Sequence, residues 1–402
     1  RLRRDPAGGL HRGPQDGKRE VSSGGGAGLY LHVPFCSAVC PYCDFAVVPA
    51  DASRSARYVQ ALLAELALLG EEELFFDTIY FGGGTPSALS RADLESILAA
   101  SRRSLAVEDD AWLALEANPE DVDAAALEGW RGLGVNMLSL GVQSFQAGEL
   151  RFLGRRHSPA EGERAVREAL AAGFDIVSAD LIFGLPGQEP ESLRDSIRRL
   201  AELDPQHVSC YQLTVHDGTP FHRRRQQGRL LELGDSRQGE LFELVHSELA
   251  AAGYSAYEVS NFAKTEDARS LHNQKYWDHS SYLGAGLAAH SFSGCRRWWN
   301  EPDLERYCSR LERGERPLAG SEELDSSELA LEAVMLGLRR SCGLDLERLR
   351  ADYGIHLLER NAAVIEGYVE DGLAVVDGCL RLTPRGLAVA DAVVRSLDLG
   401  LA

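Results

Sequence analysis

The chain has 402 residues, 44% of them hydrophobic, and a formal net charge of -19. That hydrophobic content suits ordinary globular cores in two or three domains and excludes a fibrous or broadly disordered chain. The acidic balance opposes the attraction that drives non-specific nucleic-acid binding, so no nucleic-acid partner is expected.

No run reaches the roughly 18 apolar residues of a membrane span, and the first residues lack a signal-peptide apolar stretch. A cytoplasmic protein that is not integral to a membrane is expected. Eight cysteines are too sparse for a disulfide scaffold in a chain of this size, and three of them fall between positions 36 and 43. That clustering points to a metal in a reducing compartment.

Residues 1–27 carry no apolar periodicity and read as a disordered lead-in. From Leu29 to about Thr214, short apolar runs alternate with longer amphipathic ones, the pattern of strand-helix units around a parallel sheet. The expected strands are Leu29–Val33, Thr78–Phe81, Trp112–Glu116, Met137–Val142, Ile176–Ile182 and His207–Leu213. Helices are expected at Ser55–Leu69, Arg91–Arg103, Ala160–Ala172 and Glu191–Leu203. Six such units suit an α/β fold, a partial (β/α)6 barrel with its chemistry at the C-terminal strand ends, although an open doubly wound sheet gives the same string. The core is bounded at 28–220.

An extension at 221–301 follows, with one long helix at Asp235–Ala252 and an aromatic- and His-rich segment. Residues 302–402 return to helical periodicity and end in a hairpin around Asp377-Gly378, which suggests a winged-helix-like domain. Its eight Arg, no Lys and fifteen acids from Gly320 onward argue against a wing that touches DNA.

The chemistry concentrates after the first strand, in Cys36-Ser37-Ala38-Val39-Cys40-Pro41-Tyr42-Cys43. Thiolates are the protein ligands of iron-sulfur clusters, and three on one loop leave the fourth iron of a cubane without a protein donor. Structural zinc is the competing reading, but it normally takes four closed ligands and no second CxxC exists here. Glycines 82–84, at the end of the second strand, let backbone approach a ligand closely. Glu116, Gln143, Arg155 and Asp180 then fall at or just beyond successive strand ends, an arrangement that favours a shared pocket.

These motifs resemble the radical S-adenosylmethionine (SAM) superfamily. The resemblance implies a [4Fe-4S] cluster on Cys36, Cys40 and Cys43, whose open iron binds SAM and whose electron yields a 5′-deoxyadenosyl radical. The strings LYLHVPFC, YFGGGTPS, LEANP, LSLGVQSF, LGRRHS, DLIFGLPGQ, LTVHDGTP, YEVSNFA, HNQKYW and YLGAGLAAHS narrow it further. They match the group containing oxygen-independent coproporphyrinogen III oxidase and the heme chaperones. That match implies a SAM pocket lined by Tyr30, Tyr42, Gly83, Gly84, Thr85, Glu116, Gln143, Arg155, Asp180 and Thr214.

The oxidase branch has a further Cys two positions after the third, where this chain has Phe45. The chaperone branch has Phe there, and Leu271-His272-Asn273-Gln274-Lys275-Tyr276-Trp277 resembles its heme-associated segment. Read alone, His272 would cap a turn and its aromatic neighbours would fill a core. The resemblance instead implies heme contact by His272, Tyr276 and Trp277; by residue type, His290 and Cys295 are other candidate donors. It also implies an acceptor hemoprotein, such as a membrane respiratory one; the alternative is oxidative decarboxylation of coproporphyrinogen.

Overall fold

The computed structural model describes residues 25–400. The expected lead-in therefore lies outside the described residues up to position 24, and its last residue already opens the first strand.

Six strands and the five helices between them appear in order: β1 (Ala27–Val33), α1 (Ala52–Leu68), β2 (Phe75–Gly83), α2 (Arg91–Ser104), β3 (Ala106–Ala117), α3 (Ala124–Gly132), β4 (Met137–Gln143), α4 (Pro159–Ala172), β5 (Ile176–Phe183), α5 (Pro190–Leu203) and β6 (His207–Gln212). The strands pair in parallel in that order. Helix starts follow local chemistry: Asp51, Ser90, Asp123 and Ser158 each accept backbone N–H bonds from the first turn.

Alternation along the strands separates two faces. Leu29, Ile79 and Leu113 are aligned neighbours buried under the helices, as are Leu115, Leu138 and Val177. The opposite face carries Tyr30, Tyr80, Glu116, Ser139, Ser178, Asp180 and Ser209 in matching register. The outer face is therefore the core and the inner face is polar, which is what a barrel that holds a ligand requires.

In the extension, α6 (Asp235–Ala251) lies close to the expected helix. It then supplies strands that sequence reading missed: β7 (Ser255–Ala256), β8 (Asn261–Ala263), β9 (Tyr282–Ala285), β10 (His290–Ser293) and β11 (Arg296–Asn300), with the short helix α7 (Leu271–Trp277) between β8 and β9. After α8 (Leu304–Glu312) comes β12 (Leu318–Glu323), and the whole forms one twelve-stranded sheet. β8 and β7 extend it beyond β6, while β9 joins β1 in parallel and leads to β10, β11 and β12. The edge strands β12 and β7 do not pair with each other, so the barrel is open. β12 thus pairs with the barrel's sheet, although it falls beyond the expected boundary at 302.

A buried carboxylate locks the extension to the barrel. Glu65 on α1 accepts bonds from Gly286 N (2.7 Å), Tyr307 Oη (2.6 Å) and Asn300 Nδ2 (2.5 Å). The C-terminal unit is winged-helix-like, with α9 (Ser326–Gly337), β13 (Leu344–Asp345), α10 (Leu346–Tyr353), α11 (Ala362–Glu370), β14 (Ala374–Val376) and β15 (Cys379–Leu382). Its strands run in the order β13-β15-β14, with Gly378 at φ 89° in the hairpin turn. Among the described residues no helix is long and apolar enough to cross a membrane.

Candidate functional site

The cysteine loop leaves the end of β1 and is closed at its neck. Phe35–Cys36 pairs with Val48–Pro49, and Val48 N and Ala50 N donate to Pro34 O and Cys36 O, both at 2.8 Å. Within the loop Cys43 N donates to Cys40 O at 3.1 Å, and from outside Phe221 N donates to Pro41 O at 3.0 Å. His32 Nε2 lies 2.9 Å from Ala46 O. These bonds hold the three thiols in place through the protein's own backbone.

The glycine turn explains the loop's position. Gly83 has φ 112°, and a Cβ there would sit 2.5 Å from the His32 ring. At Gly84 a Cβ would come within 2.8 Å of the Pro34 carbonyl carbon. The glycines thus make room for the root of the cysteine loop as well as baring backbone toward the barrel mouth.

A cavity of about 570 Å³ opens at this end. Cys36, Cys40, Cys43, Tyr42, Gly83, Gly84, Thr85, Glu116, Gln143, Arg155, Asp180 and Thr214 all line it. Tyr30 does not: it stands behind the wall, its ring 6.2 Å from Tyr80 and its hydroxyl 3.1 Å from His32 Nδ1. Gln143 holds φ 67°, a left-handed conformation that costs a branched-off side chain roughly 1–2 kcal/mol.

Two thiols are engaged by a polar chain. Thr85 Oγ1 donates to Cys36 Sγ (3.4 Å) and accepts from Asn118 Nδ2 (3.1 Å). Asn118 Oδ1 in turn accepts from Arg155 Nη2 (2.6 Å), and Arg155 Nη1 lies 3.6 Å from Cys40 Sγ. Arg155 Nε is buried with no partner. Sequence reading missed Asn118 as a site residue, yet it falls two positions beyond Glu116 and so shares its side of the extended chain.

Burial pushes the Glu116 carboxyl up to about 7, offset in part by bonds from Tyr80 Oη (2.8 Å) and Gly83 N (3.1 Å). Burial likewise raises Asp180 to about 6, against a bond from Ser139 Oγ at 3.0 Å. Desolvation also lifts the Cys43 thiol to about 11. Ligation by a metal reverses that last effect, because a coordinating thiol is deprotonated outright. Three thiols, an orphaned guanidinium nitrogen and two carboxyls facing one cavity fit a cluster with a ligand that carries both cationic and carboxylate groups.

The HNQKYW segment is elsewhere. His272 on α7 is enclosed, with Nδ1 3.0 Å from Thr78 Oγ1, Nε2 2.9 Å from Tyr276 Oη, and its ring stacked 5.2 Å from Tyr80. Burial lowers its pKa to about 3, so the imidazole is neutral. Both ring nitrogens are occupied, and a heme iron reaches one only if Tyr276 or Thr78 lets go. Tyr276 packs edge-on against Tyr282 at 4.7 Å. Trp277 instead faces a separate cavity of about 280 Å³ beside Cys342 and Cys379 of the C-terminal unit. The three residues therefore share no common open face. His290 is exposed and stacked 5.7 Å from Trp299, and Cys295 is exposed.

Comparison with known proteins agrees with this geometry. A model of the radical SAM superfamily matches residues 30–200, and a model of the HemN C-terminal domain matches residues 324–389. The heme chaperone HemW of Mycobacterium tuberculosis is 39% identical over 92% of this chain and 94% of its own length. The heme chaperone HemW of Bacillus subtilis is 35% identical over 86% and 91%. The structure of coproporphyrinogen III oxidase (HemN) from Escherichia coli superposes with a TM-score of 0.79 over 94% of this chain and 91% of that one, at 23% identity, which establishes the shared fold. The chain belongs to the HemW family of the radical SAM superfamily.

Proposed function

We propose that the chain binds heme and transfers it to an acceptor hemoprotein, and that Cys36, Cys40 and Cys43 hold a [4Fe-4S] cluster with SAM bound in the cavity beside it. The observation that carries the cluster is the convergence of three thiols, Arg155, Glu116 and Asp180 on one space. When bound, the cluster supplies a vacant iron for the SAM amino-acid moiety and an electron for its sulfonium. Glu116 and Asp180 would hold the cationic groups of SAM, and Arg155 Nε its carboxylate.

The chaperone reading rests on the relatives named heme chaperones and on Phe45, which stands where the oxidase branch has a further cysteine. All eight cysteines are free, as a reducing cytoplasm requires. The acceptor is expected to be a hemoprotein, including those of membrane respiratory chains.

Anaerobic reconstitution followed by two parallel assays tests the assignment. Stoichiometric heme binding with no protoporphyrinogen formed from coproporphyrinogen supports transfer. Sustained turnover of coproporphyrinogen would overturn it in favour of the oxidase.

A further inference from the structure

One imidazole closes the cysteine loop from within. His32 precedes Cys36 on β1, Ala46 follows Cys43, and His32 Nε2 lies 2.9 Å from Ala46 O, so the ring joins the outgoing and returning limbs. A carbonyl oxygen only accepts, and Nε2 therefore carries the proton. The ring is buried, and desolvation lowers its pKa, which keeps it neutral and leaves Nδ1 as an acceptor. Tyr30 Oη, 3.1 Å away, is its donor. Tyr30 thereby fixes which ring nitrogen faces the loop.

The backbone of His32 is gripped from α1. Tyr58 Oη donates to His32 O at 2.5 Å and accepts from Leu287 N at 3.3 Å. At Gly286 a Cβ would come within 2.5 Å of that hydroxyl and 2.8 Å of His32 O, so glycine is what lets the extension close on this bond. Tyr58 lies two turns before Glu65 and shares its face of α1, and Glu65 accepts from the same glycine's N–H. The Tyr58 ring also stacks on Tyr307 and meets Phe35, the neighbour of Cys36, edge-on, each with centroids 5.4 Å apart. One buried tyrosine thus touches the Glu65 lock and the root of the cysteine loop together.

We propose that His32 and Tyr58 are positioning residues for the three thiols. His32 ties the two limbs of the loop, and Tyr58 seats His32 while the extension is locked onto Glu65. Tyr30, expected in the SAM pocket, acts through His32 instead. A cubane demands fixed sulfur positions, and a ligand set is only as precise as the residues behind it. For a cluster this rests on the reading above, whereas the ordering of the thiols stands without metal.

The test therefore begins with metal-free, SAM-free, full-length protein held anaerobically. Iodoacetamide alkylation is followed cysteine by cysteine by peptide mass spectrometry. Cys40 and Cys43 report the loop, and the buried Cys210 and Cys308 report the global fold. His32→Phe and Tyr58→Phe are each expected to speed alkylation of Cys40 and Cys43 about fivefold, the factor that one lost hydrogen bond puts on a local opening, with Cys210 and Cys308 at parent rates. His32→Gln, whose amide can donate to Ala46 O, is expected to restore the parent rate. Tyr30→Phe is expected to raise it with no SAM present. After reconstitution, His32→Phe is expected to lose iron faster than the parent and His32→Gln to retain it.

Parent rates at Cys40 and Cys43 in both phenylalanine variants would overturn the proposal. An equal rise at Cys210 and Cys308 would overturn it too, since the effect would then be general destabilisation. A parent rate in Tyr30→Phe would overturn the role given to Tyr30. A parent protein that retains no iron would overturn the cluster reading alone, because the alkylation rates still report the loop.

Discussion

The cysteine end of the barrel and the HNQKYW helix are built on opposite principles. At the barrel mouth the backbone fixes the loop while polar side chains keep capacity toward the cavity: Arg155 Nε has no partner, and burial pushes the Glu116 and Asp180 carboxyls toward neutrality. At α7 the imidazole is finished: both nitrogens of His272 are bonded and its ring is stacked on Tyr80. A pre-organised site spends no rearrangement energy on its ligand, whereas a closed one binds only as tightly as its opening allows. The first leaves open room for a ligand, and the second would have to open to admit one.

The largest effect is expected from Gly83→Val, which attacks the pre-organised side. A side chain there combines a left-handed φ of 112° with a Cβ 2.5 Å from His32. Backbone strain and overpacking together cost about 4 kcal/mol. Urea unfolding should show that loss as a lower midpoint; a variant with the parent midpoint would mean that the loop root is soft.

Next comes Glu116→Gln, read against pH. The folded carboxyl titrates near 7 against an ordinary 4.5, so the folded chain holds a proton that the unfolded chain has released. This contribution to stability is full below about pH 4.5 and is lost as pH rises through 7, on the order of 3 kcal/mol. The glutamine variant should flatten that part of the stability-pH curve in metal-free protein. An unchanged slope would place the titration elsewhere, with Glu65 and Glu258, also raised to about 7, as its source.

The smallest effect belongs to the closed side. Tyr276→Phe removes one hydrogen bond, worth about 1 kcal/mol, and frees His272 Nε2. If heme iron reaches this nitrogen, heme titration should show binding roughly fivefold tighter, since 1.4 kcal/mol is a factor of ten. Weaker binding would mean that Tyr276 itself contacts heme or that another donor serves.

The six parallel strands and four of their helices were legible because the strands carry apolar residues on one face and Asp51, Ser90 and Ser158 cap three of those helices; the helix Ala124–Gly132 was not expected. Most of the cavity wall was legible too, since Glu116, Gln143 and Asp180 lie on the inner face where alternation places them, whereas Tyr30 stands behind the wall and Asn118 was missed. Strands β7 to β11 were not, because two to five residues carry no measurable period and small residues such as Gly284 and Ala285 give no propensity. Gly284 is there because a Cβ would strike His290 O, a tertiary reason invisible in local sequence. The enclosure of His272 was hidden for the same cause: its partners, Thr78 and Tyr80, lie nearly two hundred residues away.

Iron quantitation and electron paramagnetic resonance on the anaerobically reconstituted, reduced protein address the central point most directly. About four irons per chain are expected, with a cubane signal that changes shape when SAM is added and that Cys40→Ser abolishes. Bound zinc in place of iron, or a cubane signal indifferent to SAM, would contradict the account.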